Sequence, residues 1–247
     1  MKTLKADYSK ISTYYDRVRP ISDFWVSQVI QIGQIEYNSR LLDVGCGTGR
    51  FSIPLQRRTN AIVYGADVSR EMLKGGLEKE KDLYWIQGSA ESIPFKNNYF
   101  DQILMAFAIH HVDKKEEVVR EMYRVLKKGG KCIMVTSSHE QIEKALVHRY
   151  FPGLLEIDLA RFPSLKEIEK FMHSAGFKNV YHKYVKDVDT ISKEELLEKV
   201  RNRFISTLTL LSDKDFEKGL SIFQEKLENV KGEERSEHTF VIGEKLD

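Results

Sequence analysis

The sequence predicts an α/β fold in which helices cover both faces of a doubly wound, parallel sheet. Short apolar runs recur from residue 40 onward, and amphipathic stretches with helical spacing separate them. Apolar runs without polar alternation are typical of parallel strands buried on both faces. A glycine-rich turn also directly follows the first run, as expected where a strand feeds a helix. Together these observations indicate successive βαβ units.

The apolar runs predict five strands between residues 41 and 136, and two more between residues 177 and 243. The first five are predicted at residues 41–44, 61–66, 83–87, 102–107 and 131–136, and the last two at 177–185 and 238–243. A helix is predicted over 114–126, with Asp113 and Glu116 as a capping pattern and Gly129 as its stop. A second helix begins at Ser164 with Glu167 three residues later, and ends at Gly176.

Amphipathic helices are also predicted outside this alternation. One spans 21–35 and follows a tyrosine-rich arm, and two more span 196–211 and 216–230. The last two pack against the domain or form a cap or dimer surface. We therefore predict an N-terminal arm and helix, or lid (1–36), a core (37–185), a helical insertion (186–235) and a final core strand (236–247).

Composition and charge limit the kinds of protein that the chain can be. The 247-residue chain is 41% hydrophobic, which is enough for one large domain with a core, and its net charge is only +2. Basic residues alternate with acids, so the charge does not favour nucleic acid. Cys46 and Cys132 fall in predicted buried segments and suit neither a metal nor a disulfide. Without a signal-like or membrane-spanning run, we expect a cytoplasmic protein with no membrane contact.

The glycine-rich turn carries the most functional information. Residues 41–52 read LLDVGCGTGRFS, so Gly45, Gly47 and Gly49 alternate after an apolar strand that contains Asp43. Dinucleotide sites use a G-x-G-x-x-G spacing that seats a pyrophosphate on the helix end. Here the spacing is shorter, and a carboxylate two residues before the first glycine suits an ammonium group. The turn is therefore predicted to bind a ligand with an amino-acid end.

Asp67 ends the second predicted strand, 18 residues after Gly49. From that position a carboxylate can accept both hydroxyls of a ribose beside the glycine turn. The alternative is that Asp67 caps the next helix, although Ser69 is better placed for capping.

These motifs resemble motif I and the following segment of the class I S-adenosylmethionine-dependent methyltransferases, over about residues 8–185. Within that family the chain is similar to the ubiquinone/menaquinone-methyltransferase-like group of small-molecule enzymes. The resemblance implies a Rossmann-like sheet of seven strands, mostly parallel with the last strand antiparallel, plus helical cap elements. It also implies S-adenosyl-L-methionine as cofactor, S-adenosyl-L-homocysteine as product, and in-line methyl transfer to O, N, S or C.

The resemblance also assigns cofactor-contacting positions. Cys46 lies in the turn, Val68 and Met72 follow Asp67 near the adenine, and Met72 could equally be a core residue. The adenine region matches Ser89, Ala90 and Glu91, with serine where the family commonly has an acid. Glu91 could instead be a first-turn helix acid. After the fourth strand, Ala106 and Phe107 are expected to face the methionine portion.

Two further segments complete the predicted site. His110 and His111 follow the fourth strand, where one could act as a general base or as a structural hydrogen-bonding group. Tyr15 and Arg19 in the N-terminal arm resemble a lid over the cofactor, with Arg19 on the methionine carboxylate. Surface packing is the alternative for both residues.

The interpretation is a methyltransferase acting on a small molecule, with a homodimer as a further expectation. An RNA or protein methyltransferase is one alternative, and it predicts a basic stripe that the sequence lacks. A nucleotide-dependent oxidoreductase conflicts with the glycine spacing. A non-catalytic S-adenosylmethionine-binding regulator is the alternative outside the enzymes.

Overall fold

The computed structural model describes residues 21–190, 192–227 and 233–246. The strands in that part of the chain are β1 (Arg40–Val44), β2 (Ile62–Asp67), β3 (Tyr84–Gln87), β4 (Phe100–Ala106), β5 (Leu126–Thr136), β6 (Lys178–Thr190) and β7 (Glu233–Glu244). The helices are α1 (Asp23–Gly33), α2 (Ser52–Thr59), α3 (Arg70–Lys79), α4 (Lys115–Val125), α5 (His139–Lys144), α6 (Leu154–Arg161), α7 (Leu165–Ala175), α8 (Lys193–Arg201) and α9 (Asp213–Leu227). Short 3₁₀ helices lie at Ile109–His111, Leu146–Arg149 and Ser206–Leu210.

The strands form one seven-stranded sheet in the order β3-β2-β1-β4-β5-β7-β6. β1 to β5 pair in parallel, whereas β7 is antiparallel to both of its neighbours. The predicted fold class is therefore confirmed. Chain order reverses between the neighbours β1 and β4, and open α/β sheets bind ligands at the carboxyl ends of strands at such a point. The glycine turn follows β1 at this position.

Both faces of the sheet are buried, which explains why the strands read as apolar runs. On one face, α4 and α7 contribute Val118, Met122, Ile168 and Met172 to an apolar cluster with the inner strands. On the other face, α1 and α2 bury Trp25, Val29 and Leu55 against the sheet. The carboxyl edge of the sheet lies between these two helical layers, and other segments of the chain cover it.

Helix termini confirm one sequence prediction and correct another. Ser164 and Glu167 form a reciprocal capping box at the start of α7, and Gly176 ends that helix at φ 110°. At α4, however, the N-cap is Lys114 and no side chain caps it, so the predicted capping by Asp113 was wrong. Gly129 also does not stop α4, because the chain turns extended at Leu126 and β5 begins there, five residues before the predicted strand.

A separate helical layer, which we call the cap, consists of residues 139–161 and 192–227. Its two segments share an apolar cluster that includes Phe151, Leu154, Val200, Phe216 and Phe223. One segment follows the carboxyl end of β5, and the other joins β6 to β7 at that same edge. The helix predicted over 196–211 was wrong in its continuity, because α8 ends at Arg201 and a 3₁₀ helix follows.

Strands β6 and β7 are both longer than predicted, and they pair with each other from Tyr181↔Ile242 to Thr190↔Glu233. The cap is therefore joined to the sheet through a paired ribbon. Among the described residues, no helix is both long enough and apolar enough to cross a membrane.

Candidate active site

The glycine turn is held open at the carboxyl end of β1 by backbone geometry. Gly45, Gly47 and Gly49 all have positive φ, at 73°, 58° and 81°. A Cβ on Gly45 would lie 2.6 Å from the Cβ of Ala108, and one on Gly49 would lie 2.5 Å from the Trp85 ring. At Gly47, by contrast, no atom lies within 4 Å of where a Cβ would be. Packing therefore requires glycine at Gly45 and Gly49, whereas Gly47 leaves open space beside the turn.

Asp67, at the end of β2, contacts that turn directly. Its Oδ2 accepts the backbone N–H of Gly47 at 2.8 Å, and its Oδ1 accepts the N–H of Ser69 at 2.9 Å. Ser69 caps α3 by accepting the N–H of Met72, as the sequence predicted. Burial raises the pKa of Asp67 above its usual range. Asp67 thus presents a partly buried carboxylate at the sheet edge beside an open glycine.

Asp43 lies deeper, and it is only 2% exposed. Ser52 of α2 donates a 2.6 Å hydrogen bond to its Oδ2. Burial raises the pKa of Asp43 to about 7, and the nearby Asp67 adds to that rise, while the Ser52 bond opposes it. A cation bound nearby would favour the ionised form of this carboxyl group.

A small cavity that is open to solvent brings the turn and the end of β4 together. It is lined by Asp43, Gly45, Cys46, Arg50, Phe51, Ala106 and Phe107. Five of these seven residues were predicted to contact the cofactor; Arg50 and Phe51 were not. The Arg50 guanidinium lies 5.3 Å from the centre of the Phe107 ring and 5.7 Å from that of Phe51. Phe107 itself has φ 53°, a conformation that residues other than glycine seldom adopt.

The predicted adenine region lies along the same edge, beyond Asp67. The Gly88 N–H donates to the Asp67 carbonyl oxygen at 3.0 Å, and this places the segment after β3 beside the end of β2. The Ser89 hydroxyl accepts the Glu91 N–H at 3.2 Å, and Ala90 packs against the core. Val68 is 72% exposed, whereas Met72 is 2% exposed and is a core residue in this structure.

The two histidines contact the cap instead of lining the cavity. His110 is 4% exposed, and its ring stacks on Phe162 with centroids 3.9 Å apart. His111 Nδ1 lies 2.9 Å from a guanidinium nitrogen of Arg161. The two histidine rings are 4.0 Å apart. Both histidines lie in the 3₁₀ helix at Ile109–His111. Tyr15 and Arg19, the predicted lid residues, lie outside the described residues.

Several residues that surround this site were not predicted from the sequence. His238 of β7 packs its ring against Phe107 and Trp25, with centroids 4.6 Å and 4.7 Å away. Burial, together with the charge of Arg50, lowers the pKa of His238 to about 3. Arg161 and Asp158 of α6 are also buried beside the histidines. None of these belongs to a local motif, because each meets the site only through the folded cap or the sheet.

The described residues contain no cluster of three or more His, Cys, Asp or Glu side chains that could hold a metal ion. The site geometry is instead one of backbone amides, two carboxylates and aromatic rings at one sheet edge. An acid beside a glycine turn suits ribose hydroxyls, and a second acid suits an ammonium group.

Comparison with known proteins agrees with this geometry. Residues 42–134 match the family model described as a methyltransferase domain. The chain is 30% identical over 204 residues to the demethylmenaquinone methyltransferase of Anoxybacillus flavithermus, covering 70% of this chain and 86% of that protein. It is 31% identical over 202 residues to the corresponding enzyme of Staphylococcus carnosus, covering 70% and 84%.

Among solved structures, the chain is similar to phosphoethanolamine N-methyltransferase 2 of Haemonchus contortus. That structure is a complex with phosphomonomethylethanolamine and S-adenosylhomocysteine. The TM-score is 0.67 at 21% identity, over 97% of this chain and 58% of that one, which shows a shared fold. With the sequence relationship and the methyltransferase-domain match, the chain belongs to the class I S-adenosylmethionine-dependent methyltransferase family.

Proposed function

We propose that this methyltransferase acts on a small molecule bound at the carboxyl edge of the sheet, between the glycine turn and the cap. The observation that carries this proposal is the 2.8 Å bond between the Gly47 N–H and Asp67 Oδ2, beside open space at Gly47. This bond supports a ribose-binding role for Asp67 next to a glycine cradle. The cap covers the same edge, which supports an enclosed acceptor site there.

The residues fit the ribose, the ammonium group, the adenine and the methionine portion of S-adenosyl-L-methionine. Asp67 would accept the ribose hydroxyls, and Asp43, two residues before the turn, would favour the ammonium group. The segment from Ser89 to Glu91, together with Val68, would border the adenine. Gly45, Cys46, Gly47, Gly49, Ala106 and Phe107 would line the methionine portion. Tyr15 and Arg19 remain proposed lid residues.

The bound cofactor supplies a sulfonium methyl group with a good leaving group already attached. The protein then has to hold the acceptor nucleophile in line, at about 3–3.5 Å from that carbon. The glycine turn lets the backbone approach the ligand closely, and the aromatic rings of Phe51 and Phe107 limit the access of water. A base is required only where the nucleophile must lose a proton.

A small acceptor is supported by the sequence relationship to demethylmenaquinone methyltransferases. It is also supported by the cap, whose apolar cluster provides a compact wall over the edge next to the stacked rings of His110 and Phe162. We include quinol-type molecules in the acceptor class for this reason. The acceptor atom is O, N, S or C.

The test is methyl transfer from labelled S-adenosyl-L-methionine to a panel of quinols, phenols, amines and thiols, with RNA and protein as separate arms. We expect turnover with at least one small molecule and loss of that turnover in Asp67→Ala. Asp101→Ala serves as the control, because Asp101 bonds Arg40 and Lys127 at the opposite edge. Transfer to RNA or protein alone would contradict the proposal. Cofactor binding without transfer to any arm would indicate a regulator.

We further propose a cytoplasmic enzyme, which is supported by two buried free cysteines that a reducing compartment would preserve. A homodimer is proposed as its assembly. Cell fractionation and light scattering after size-exclusion chromatography test these two proposals, and a secreted protein or a monomer would contradict them.

A further inference from the structure

A buried chain of polar side chains connects the cap to His111. Arg161 of α6 is 2% exposed, Thr207 of the 3₁₀ helix at Ser206–Leu210 is 2% exposed, and Asp158 is 4% exposed. One guanidinium nitrogen of Arg161 lies 2.7 Å from Thr207 Oγ1, and the other lies 2.9 Å from His111 Nδ1. Thr207 Oγ1 donates to Asp158 Oδ1, and Asp158 Oδ2 lies 2.8 Å from His148 Nε2. Both cap segments therefore contribute side chains to this hydrogen-bonded network.

The direction of each hydrogen bond in this chain is set by chemistry. A guanidinium group has five N–H donors and no acceptor, and it stays protonated in proteins. Thr207 must therefore accept from Arg161, which leaves its own hydroxyl proton for Asp158. For the same reason His111 Nδ1 must accept from Arg161. An imidazole whose Nδ1 accepts carries its proton on Nε2.

Electrostatics opposes a second proton on His111. A second proton, on Nδ1, would replace the hydrogen bond with two N–H groups that face each other, and both would belong to cations. The Arg161 charge is compensated by Asp158, whose Oδ1 lies 3.8 Å from the guanidinium. Removing one member of a buried ion pair leaves a charge without compensation, which is strongly unfavourable. The guanidinium therefore stays in place beside His111.

We propose that Arg161 is a positioning residue that holds His111 neutral with its proton on Nε2, so that His111 donates a hydrogen bond and does not act as a general base. This inference rests on the proposed small-molecule methyl transfer at the same edge. It changes the role predicted for His111. It also narrows the reaction to one in which the nucleophile does not pass its proton to His111.

The arrangement also ties the protonation of His111 to the position of the cap. Arg161 and Asp158 lie on the first cap segment, and Thr207 lies on the second. The His110 ring stacks on Phe162 and packs at a tilt against the His111 ring, so it limits rotation of that imidazole. A displaced cap would remove the donor to Nδ1, and His111 would then be free to change tautomer.

The test is nuclear magnetic resonance of the full chain with ¹⁵N-labelled histidine rings, bound to S-adenosyl-L-homocysteine, with His111→Gln used to assign the His111 signals. We expect a protonated Nε2 and an unprotonated Nδ1 throughout pH 6 to 8. An Nδ1–H tautomer or an imidazolium in the unchanged protein would overturn the proposal. This measurement needs no acceptor, so its failure is distinguishable from failure of the proposed methyl transfer, which the acceptor panel tests.

Two variants test the role of Arg161 itself. Arg161→Met is expected to give a mixture of tautomers or an imidazolium within the same pH range, and an unchanged His111 spectrum would overturn the proposal. Thr207→Val keeps the guanidinium but removes one of its anchors, and it is expected to shift His111 in the same direction by a smaller amount. It thus provides a second measurement if Arg161→Met does not fold. Arg149→Met, at an exposed arginine of the cap, is the matched control and should leave the spectrum unchanged.

Kinetics separate a donor from a base. With a panel quinol or phenol that shows turnover, His111→Gln, whose amide can donate near the Nε2 position, should retain kcat within about tenfold. Loss of a general base costs about 10²–10⁴ in rate. A fall of that size in His111→Gln, with a cofactor Kd that stays within twofold, would contradict the donor role.

Discussion

Gly47 and Asp67 form a direct contact between the turn after β1 and the end of β2, where the backbone N–H of Gly47 donates a 2.8 Å hydrogen bond to Asp67 Oδ2. Ser69 occupies the other carboxylate oxygen. Because a carboxylate has about four acceptor positions, these bonds leave Asp67 able to accept a further hydrogen bond. The contact therefore orients the acid without using up its capacity to bind a ribose.

Replacing Asp67 with alanine should weaken binding of S-adenosyl-L-homocysteine by about 1.5–3 kcal/mol, which is the range for hydrogen bonds to a charged group. Isothermal titration calorimetry measures this change. Asp101→Ala, at the amino end of β4, should leave the affinity unchanged. A folded Asp67→Ala protein that binds S-adenosyl-L-homocysteine with wild-type affinity would contradict the proposed ribose contact.

Gly47→Val should abolish cofactor binding and keep a cooperative thermal transition. A side chain there meets no protein atom within 4 Å, so the cost to the fold is the backbone strain at φ 58°, about 1–2 kcal/mol. Gly129→Val is the matched control, because Gly129 also has open space and a φ of 77° but lies at the opposite edge. It should lower the Tm similarly and leave binding intact. Micromolar affinity in Gly47→Val would show that the turn does not contact the ligand.

Asp43 should make the cofactor-free protein less stable as the pH rises. Its pKa is about 7 in the fold and 3.8 when unfolded, so between these values the folded state binds the extra proton. The free energy of unfolding then falls from about pH 4 to pH 7 and levels off above. Asp43→Asn should remove this slope, with a change relative to wild type of at least about 1.4 kcal/mol, the equivalent of one pKa unit. Chemical denaturation at pH 4.5, 6 and 7.5 measures it, and equal slopes in both proteins would contradict the assignment.

His238 should produce the opposite slope. Its pKa is about 3 in the fold and 6.5 when unfolded, so between these values the unfolded state binds the extra proton and the free energy of unfolding rises with pH. His238→Phe keeps ring contacts with Trp25 and Phe107, and it should remove the loss of stability on acidification below about pH 6.5. His173→Phe, in the last turn of α7, is the control for losing a histidine elsewhere. If His238→Phe loses as much stability on acidification as the wild type does, this histidine is not held neutral.

Gly219→Val tests whether the cap forms the acceptor wall. A Cβ on Gly219 would lie 2.4 Å from the Phe151 ring, so the larger side chain must separate the two segments of the cap. Overpacking of this kind costs about 1–3 kcal/mol. We expect faster hydrogen exchange in 139–161 and 192–227, acceptor turnover reduced at least tenfold, and a cofactor Kd within twofold.

The control for that variant is Ser221→Val, at an exposed position on the same helix. It should change neither exchange nor turnover. If Gly219→Val loosens the cap and turnover stays at the wild-type rate, the cap does not shape the acceptor site.

The sequence by itself determined the fold class, the family and the glycine turn at the carboxyl end of β1. These follow from local constraints: strands buried on both faces are apolar throughout, and a left-handed turn against Ala108 and Trp85 admits only glycine. Serine followed three residues later by glutamate correctly marked the start of α7. The same kind of pattern at Asp113 failed, because Lys114 became the N-cap and capping depends on the backbone angles at one residue.

Only the tertiary structure decided which groups meet between the cap and the carboxyl edge of the sheet. His111 and Arg161 are 50 residues apart, and Arg161 and Thr207 are 46 apart, so their contacts exist only once both cap segments have packed. His238 and Phe107 likewise meet through the pairing of β5 with β7. A sequence motif reflects only the residue types that one local stretch of backbone requires. The tautomer of His111 and the neutrality of His238 depend on burial and on the hydrogen-bond donors and charges that the fold brings to them.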